Sequence, residues 1–174
     1  SVGQVLLINA WKKGFLKYKK QCGQILLTHL DAEIRSSAIN ARNTIESLLK
    51  LNSIPIINEN DSVATQELRY GDNDQLAARV AQITSSNLLI ILSDVDGLYT
   101  SNPKKSSDAL LTKYIKRITK SIEKQAENTS SSIAVGGMKT KIKAAKIALA
   151  AGCNMIITRA VSYTHLTLPT TLTV

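Results

Sequence analysis

Aromatic residues are scarce: one Trp, one Phe and five Tyr make up 4% of the 174 residues. A core built from this sequence must rest on Ile, Leu, Val and Ala, and there is no aromatic platform on which nucleobases could stack. Cysteine is limited to Cys22 and Cys153. They lack Cys-x-x-Cys spacing, which argues against a disulfide framework or a zinc site and for two buried, reduced packing residues. His29 and His165 are too few and too scattered to nominate a metal centre, so no metal-ligating residue is expected. No apolar run approaches the ~18 residues of a membrane-spanning helix. No charged-then-apolar leader with a small-residue cleavage site is present either. These absences describe a soluble, cytoplasmic protein without a membrane partner. The sequence also has no G-x-x-x-x-G-K-[ST] loop, which excludes P-loop enzymes.

Positive charge, by contrast, is plentiful, with a net +9. The lysines are spread over Lys12–Lys20, Lys104–Lys124 and Lys139–Lys146 and coincide with no nucleic-acid motif. They read as solvated helix faces plus one site for an anionic substrate, and nucleic acid is not the expected partner. The length suits one domain with a substantial core, and 44% apolar and 20% charged residues are ordinary for a globular chain.

Periodicity gives the order of elements. Leu7, Trp11, Phe15 and Tyr18 form a stripe on one helix face. Gln24–Thr28 reads as a short strand, and Ala38, Ala41, Ile45 and Leu48 then repeat at helical spacing. Ile54–Asn58 is a second strand, entered through Pro55, which suits the beginning of a strand better than its centre. A helix over about Asn73–Ser85 and a strand over Asn87–Ser93 follow. After a polar, serine-rich stretch come a helix near Thr119–Ala126, a loop near Asn128–Ser132, a helix over Met138–Ala151 and a strand over Asn154–Thr158. Strands that are apolar on both faces and alternate with helices predict an α/β fold, a three-layer α/β/α sandwich around a mostly parallel sheet. In such sheets ligands gather beyond the carboxyl ends of the strands. Attention therefore falls on the loops after Asn58 and Ser93 and on Gly136–Lys141.

Each of these places has a bland explanation and a functional one. Asn58-Glu59-Asn60-Asp61 follows a strand and could simply solvate its end. In Gly71-Asp72-Asn73-Asp74, Asp72 and Gln75 fit a helix-capping box, which leaves Asn73 and Asp74 unexplained. Ser93-Asp94-Val95-Asp96-Gly97 could be a turn. Three acidic or amide-rich loops at one edge of a sheet, however, favour a binding site. Gly136-Gly137 is the complementary half, because glycines let a backbone approach a ligand and a helix N-terminus offers free N–H groups to an anion. Lys139 and Lys141 fall in or near the first helical turn, where the helix dipole disfavours a cation by ~0.3–1 kcal/mol. A bound phosphate would reverse that penalty.

The stretches IPIINENDSVATQELRYGDNDQLAARVA (54–81), LLIILSDVDGLYTSNP (88–103) and GGMKTKIKAAKIALAAG (136–152) closely resemble the amino acid kinase family, and within it the branch that phosphorylates glutamate. VGQ (2–4) and QILLTHLDAEIRSSAINAR (24–42) extend the likeness to about Ser1–Arg159. The resemblance implies transfer of the γ-phosphoryl group of ATP to the side-chain carboxylate of L-glutamate, with Mg2+, at the opening of proline biosynthesis. It implies a homo-oligomeric full-length protein. Asp61 and Asn73 match glutamate-binding positions, with Asp72 beside them. Asp74 matches the aspartate that orients catalytic lysines, and Lys141 the lysine that stabilises the transferring phosphoryl group. Ser93 and Asp94 match nucleotide-binding positions, as does the loop Val135, Gly136, Gly137, Met138, Lys139, Thr140 and Lys141. The family's loop usually reads Gly-Thr-Gly-Gly-Met, whereas Ala134 and Val135 stand in its first two places here. Another acidic substrate, a nucleotide-binding relic without turnover and a basic nucleic-acid-binding domain are the competing readings.

The domain is expected to be truncated at both ends, without the family's opening and final strands, so that residues 1–160 form a partial kinase domain and activity belongs to the fuller protein. Residues 161–174 (VSYTHLTLPTTLTV) carry no Asp, Glu, Lys or Arg and are dense in Thr. They resemble translated adapter sequence and read as a non-native tail, with an edge strand turning at Pro169 as the alternative. Deleting residues 161–174 should leave the melting temperature within about one degree, since a segment without packed neighbours contributes little stability. A loss of several degrees in a thermal melt would show that the tail is part of the fold.

Overall fold

The computed structural model describes residues 2–60, 73–103, 106–129 and 137–160. Its elements run α1 (Val2–Leu16), β1 (Gln21–Leu27), α2 (His29–Glu33), α3 (Arg35–Lys50), β2 (Ser53–Glu59), α4 (Asn73–Ile83), β3 (Leu88–Ser93), α5 (Lys120–Thr129), α6 (Met138–Ala150) and β4 (Asn154–Arg159). Helices and strands fall where periodicity places them, and the chain is α/β with parallel strand pairing throughout the two sheets. Periodicity does not reveal the short helix α2. Thr28 caps it, because its hydroxyl accepts from the Asp31 N–H (3.3 Å) while the Asp31 carboxylate accepts from the Thr28 N–H (2.7 Å). This reciprocal capping box is what turns the chain immediately after β1.

The four strands among the described residues form two parallel pairs. β1 lies beside β2, in register from Gln21 opposite Ser53 to Leu27 opposite Glu59. β3 lies beside β4, from Leu88 opposite Asn154 to Ser93 opposite Arg159. Among the described residues no strand joins the pairs. A cavity of about 380 Å³ lies between them, lined by Pro55 and Ile57 of β2, Leu88 and Leu89 of β3, and Val80 and Ala81 of α4. On β1, Gly23 lies under the end of the Leu48 side chain of α3: a Cβ there would stand 2.7 Å from Leu48 Cδ2 and would oblige that side chain to move.

Burial is divided among three clusters. Leu27, Ala41 and Leu76 hold β1, α3 and α4 together, with Ile25, Ile57 and Val80 packed against them. Leu98, Ala126, Met138 and Ile142 join the segment after β3 to α5 and α6. Ala81, Ala148 and Cys153 join α4 to α6 and the entry to β4. Helix α4 therefore belongs to both halves. On the other face of β3, Leu88, Ile90 and Leu92 remain at least a third exposed, so that among the described residues this face lacks the second helical layer. The stripe on α1 is present for Leu7, Trp11 and Phe15 but open, and Tyr18 lies in the turn beyond the helix: Trp11 and Phe15 stack at 5.7 Å, yet Trp11 is 46% exposed. The polar, serine-rich stretch after β3 is pinned by a short bridge. Tyr99 and Leu111 bridge antiparallel, with Thr112 N donating to Leu98 O at 2.8 Å.

Cys153 is buried, and desolvation raises its thiol pKa above the usual value. Cys22 is only half-buried. A thiol whose thiolate is disfavoured and shielded reacts slowly. Alkylation of the folded chain at pH 8 should modify Cys22 and spare Cys153, read by peptide mass mapping. Equal labelling of both would show that the Ala81–Ala148–Cys153 cluster opens readily.

Candidate active site

Two helices begin at the same edge of the molecule. Asp74, Ala78 and Ala81 recur on α4 at spacings of four and three, and Lys141, Ala145 and Ala148 do so on α6, so each set occupies one helix face. The first members meet as Lys141 Nζ donates to Asp74 Oδ2 at 2.8 Å, and the last members, Ala81 and Ala148, share a buried cluster. Contact at both ends of equal spans means that α4 and α6 run parallel with their N-termini together. Ala78, Ala144 and Ala148 have no measurable exposure. Such small side chains permit the close helix approach that brings a carboxylate and an ammonium into contact.

The ion pair is largely withdrawn from water, with side-chain exposures of 9% for Lys141 and 15% for Asp74. Withdrawal of two charges costs several kcal/mol, and their attraction offsets that only when the geometry is good. Asp74 also suits the positive end of α4, whereas Lys141 opposes that of α6. Gly137, the N-cap of α6, is extended (φ −69°, ψ −174°) and provides no side-chain cap. The Thr140 N–H donates to Gly137 O at 3.1 Å, and the Met138 and Lys139 N–H groups ahead of it occupy the positions at which a helix N-terminus meets an anion. Thr140 Oγ1 donates to Gly137 O at 2.7 Å and stands 3.5 Å from Asp74 Oδ2.

The strand ends complete the edge. Ser93, the last residue of β3, is buried, and its hydroxyl donates to Asp94 Oδ1 at 3.0 Å. Asp94 is exposed, and Asn73, at the first position of α4, is exposed and lines the cavity between β2 and β3. Four polar or charged residues are buried among those described, and three of them (Glu59, Ser93 and Lys141) lie at the carboxyl ends of strands or near the start of α6. Water-poor surroundings strengthen the field at such groups.

Of the residues nominated from sequence, Asp74, Thr140 and Lys141 are brought together. Met138 is buried against Leu98, Ala126 and Ile142, where it anchors the start of α6. Lys139 turns away from Asp74 to pair with Glu127 of α5 at 2.9 Å. Asp61, Asp72, Val135 and Gly136 lie outside the described residues, as does the tail. Sequence reasoning passes over Glu59, a buried carboxyl residue at the end of β2. Its place inside the run Asn58–Asp61 is the available signal.

A parallel α/β frame whose strand ends meet a glycine-preceded helix defines an α/β protein of the kind that binds ligands beyond the carboxyl ends of its strands, here without a P-loop. The sequence profile of the amino acid kinase family matches residues 1–159, and the chain belongs to that family. It is similar to the glutamate 5-kinase of Pelagibacter ubique, 54% identical over 157 residues, covering 90% of this chain and 43% of that protein. The glutamate 5-kinase of Agrobacterium fabrum is 54% identical over 157 residues, covering 90% and 40%. That of Paramagnetospirillum magneticum is 48% identical over 159 residues, covering 91% and 43%. The chain thus spans 40–43% of the length of these curated relatives.

Breaking one member of a buried ion pair leaves the other charge uncompensated, at a cost of about 3 kcal/mol, whereas replacing both is often close to neutral. Asp74→Leu and Lys141→Met should therefore each lower stability by about that amount in urea unfolding. The double variant should recover most of the loss. Additive losses would mean that the two side chains do not interact across α4 and α6.

Proposed function

We propose that this chain forms part of the catalytic domain of an ATP-dependent kinase that phosphorylates the side-chain carboxylate of L-glutamate. The buried Lys141–Asp74 pair at the converging N-termini of α4 and α6 carries this reading, and the names of the similar proteins give the substrate. In the reaction a glutamate carboxylate oxygen attacks the γ-phosphorus of ATP, the bond to the β–γ bridging oxygen breaks, and ADP leaves. Such a transfer asks a protein for positioning and for positive charge on the migrating group. Lys141 supplies that charge, and Asp74 holds its ammonium in place. The first-turn amides of α6 with Gly137, Ser93 and Asp94 take the nucleotide, and Val135 and Gly136 continue that loop in the sequence. Asn73 takes glutamate, with Asp61 and Asp72 neighbouring it in sequence. Mg2+ in kinases is held largely by phosphate oxygens and water, with one or two carboxylates. The fuller protein would act as a cytoplasmic homo-oligomer supplying proline biosynthesis.

Loss of one preorganised transition-state contact lowers kcat by ~10²–10³. In the intact protein Lys141→Ala should lose at least that much rate while the ATP Kd changes only a few-fold. Asn73→Ala should raise the KM for glutamate and spare that for ATP. Single-turnover transfer measured beside equilibrium ATP binding decides the matter. Near-normal turnover by Lys141→Ala would overturn the assignment, and turnover of a different acidic substrate in preference to glutamate would overturn the specificity.

A further inference from the structure

Asp96 and Arg159 have no part in the site as described, yet they join two of its edges. Arg159 is the last residue of β4, and the strand register sets it opposite Ser93, the last residue of β3. From there its Nη2 donates to Asp96 Oδ1 at 2.7 Å. The segment between is also held on its far side. Val95 packs against the cluster around Leu98, which is 2% exposed, and Thr112 N donates to Leu98 O at 2.8 Å. Leu111 also lies against the turn at Gly97, where a Cβ would stand 3.1 Å from its Cδ1. Residues 93–98 are thus tethered at the end of β3, at Arg159 and at Leu98. Asp94 lies between the first two tethers.

Stability gives little reason for this pair. Its side chains are 47% and 42% exposed, and ion pairs in such surroundings contribute ~0–1 kcal/mol. Its geometric consequence is larger, because a guanidinium presents its donors in a rigid planar fork. We propose that the Asp96–Arg159 pair is a positioning clamp that fixes the Ser93–Asp94 turn in its nucleotide-binding geometry. This rests on the reading that Ser93 and Asp94 bind ATP. Electrostatics alone predicts the opposite sign for one variant: removing the negative charge of Asp96 near a polyphosphate would strengthen binding, whereas removing a clamp weakens it.

The test is made in the intact protein, with equilibrium ATP binding, steady-state kinetics and thermal melts. Asp96→Ala and Arg159→Ala should each raise the Kd and KM for ATP about fivefold. Saturated kcat and the KM for glutamate should stay within about twofold, and the melting temperature within about 2 °C. The exchanged double variant, Asp96→Arg with Arg159→Asp, should bind ATP more tightly than either Asp96→Arg or Arg159→Asp alone. The clamp is overturned by unchanged or tighter ATP binding in Asp96→Ala, by loss only in Arg159→Ala (direct contact with nucleotide), by failure of the exchange, or by affinity losses that track melting temperature. A wild-type protein that binds ATP but does not phosphorylate glutamate sinks the proposed substrate and leaves the clamp to be judged on ATP Kd. One that phosphorylates glutamate while the variants are indifferent sinks the clamp alone, and one that binds no ATP sinks both.

Discussion

The contact between α4 and α6 is the constraint on which the rest of the structure depends. The two strand pairs share no hydrogen bonds with each other among the described residues, so their relative placement falls to α4. This helix packs Leu76 and Val80 against the first pair and Ala81 against α6 and the entry to β4. Fully buried alanines bring the helices close enough for Asp74 and Lys141 to meet at 2.8 Å. Packing and chemistry are therefore one feature: the alanine face that joins the halves also ends in the charged pair.

Withdrawing that pair from water is costly, and two apolar residues could fill the same space at no loss. Parallel helices place two positive poles at one edge, and Lys141 adds a full charge to them. Under the function proposed above, the polyphosphate of the nucleotide would offset that concentration of positive charge. Asp74 moderates the excess charge while leaving the ammonium at the mouth of the helix. Lys139, two residues earlier, is turned outwards to Glu127. Helical geometry separates two neighbouring lysines into a buried residue and a surface residue, since positions i and i+2 do not share a face.

The strand ends show how far a local reading of the sequence reaches. Alternation of apolar strands with helical stripes locates all four strands within a few residues, and the rule that ligands sit beyond strand ends singles out the loops after β2 and β3 from local pattern alone. Asp74 and Lys141 are legible because each occupies the first turn or so of a well-patterned helix. Their contact is not legible from periodicity, since 67 residues separate them. Glu59 escapes for a different reason. In a run of four polar residues after a strand, composition says nothing about which side chain turns inward. The Asp96–Arg159 pair, 63 residues apart, follows from a strand register that no local pattern encodes.

The sequence by itself determined the α/β class, the order of elements and the absence of a P-loop motif. These are properties of short windows, set by periods of two and 3.6 residues and by glycine and capping chemistry. Tertiary structure alone decided that the described strands divide into two parallel pairs, that one face of β3 stays open, and that Lys141 rather than Lys139 is drawn into a buried ion pair. Those outcomes depend on which surfaces meet, and meeting is fixed by packing between distant segments: Ala81 against Ala148, Gly23 under Leu48, Arg159 beside Ser93.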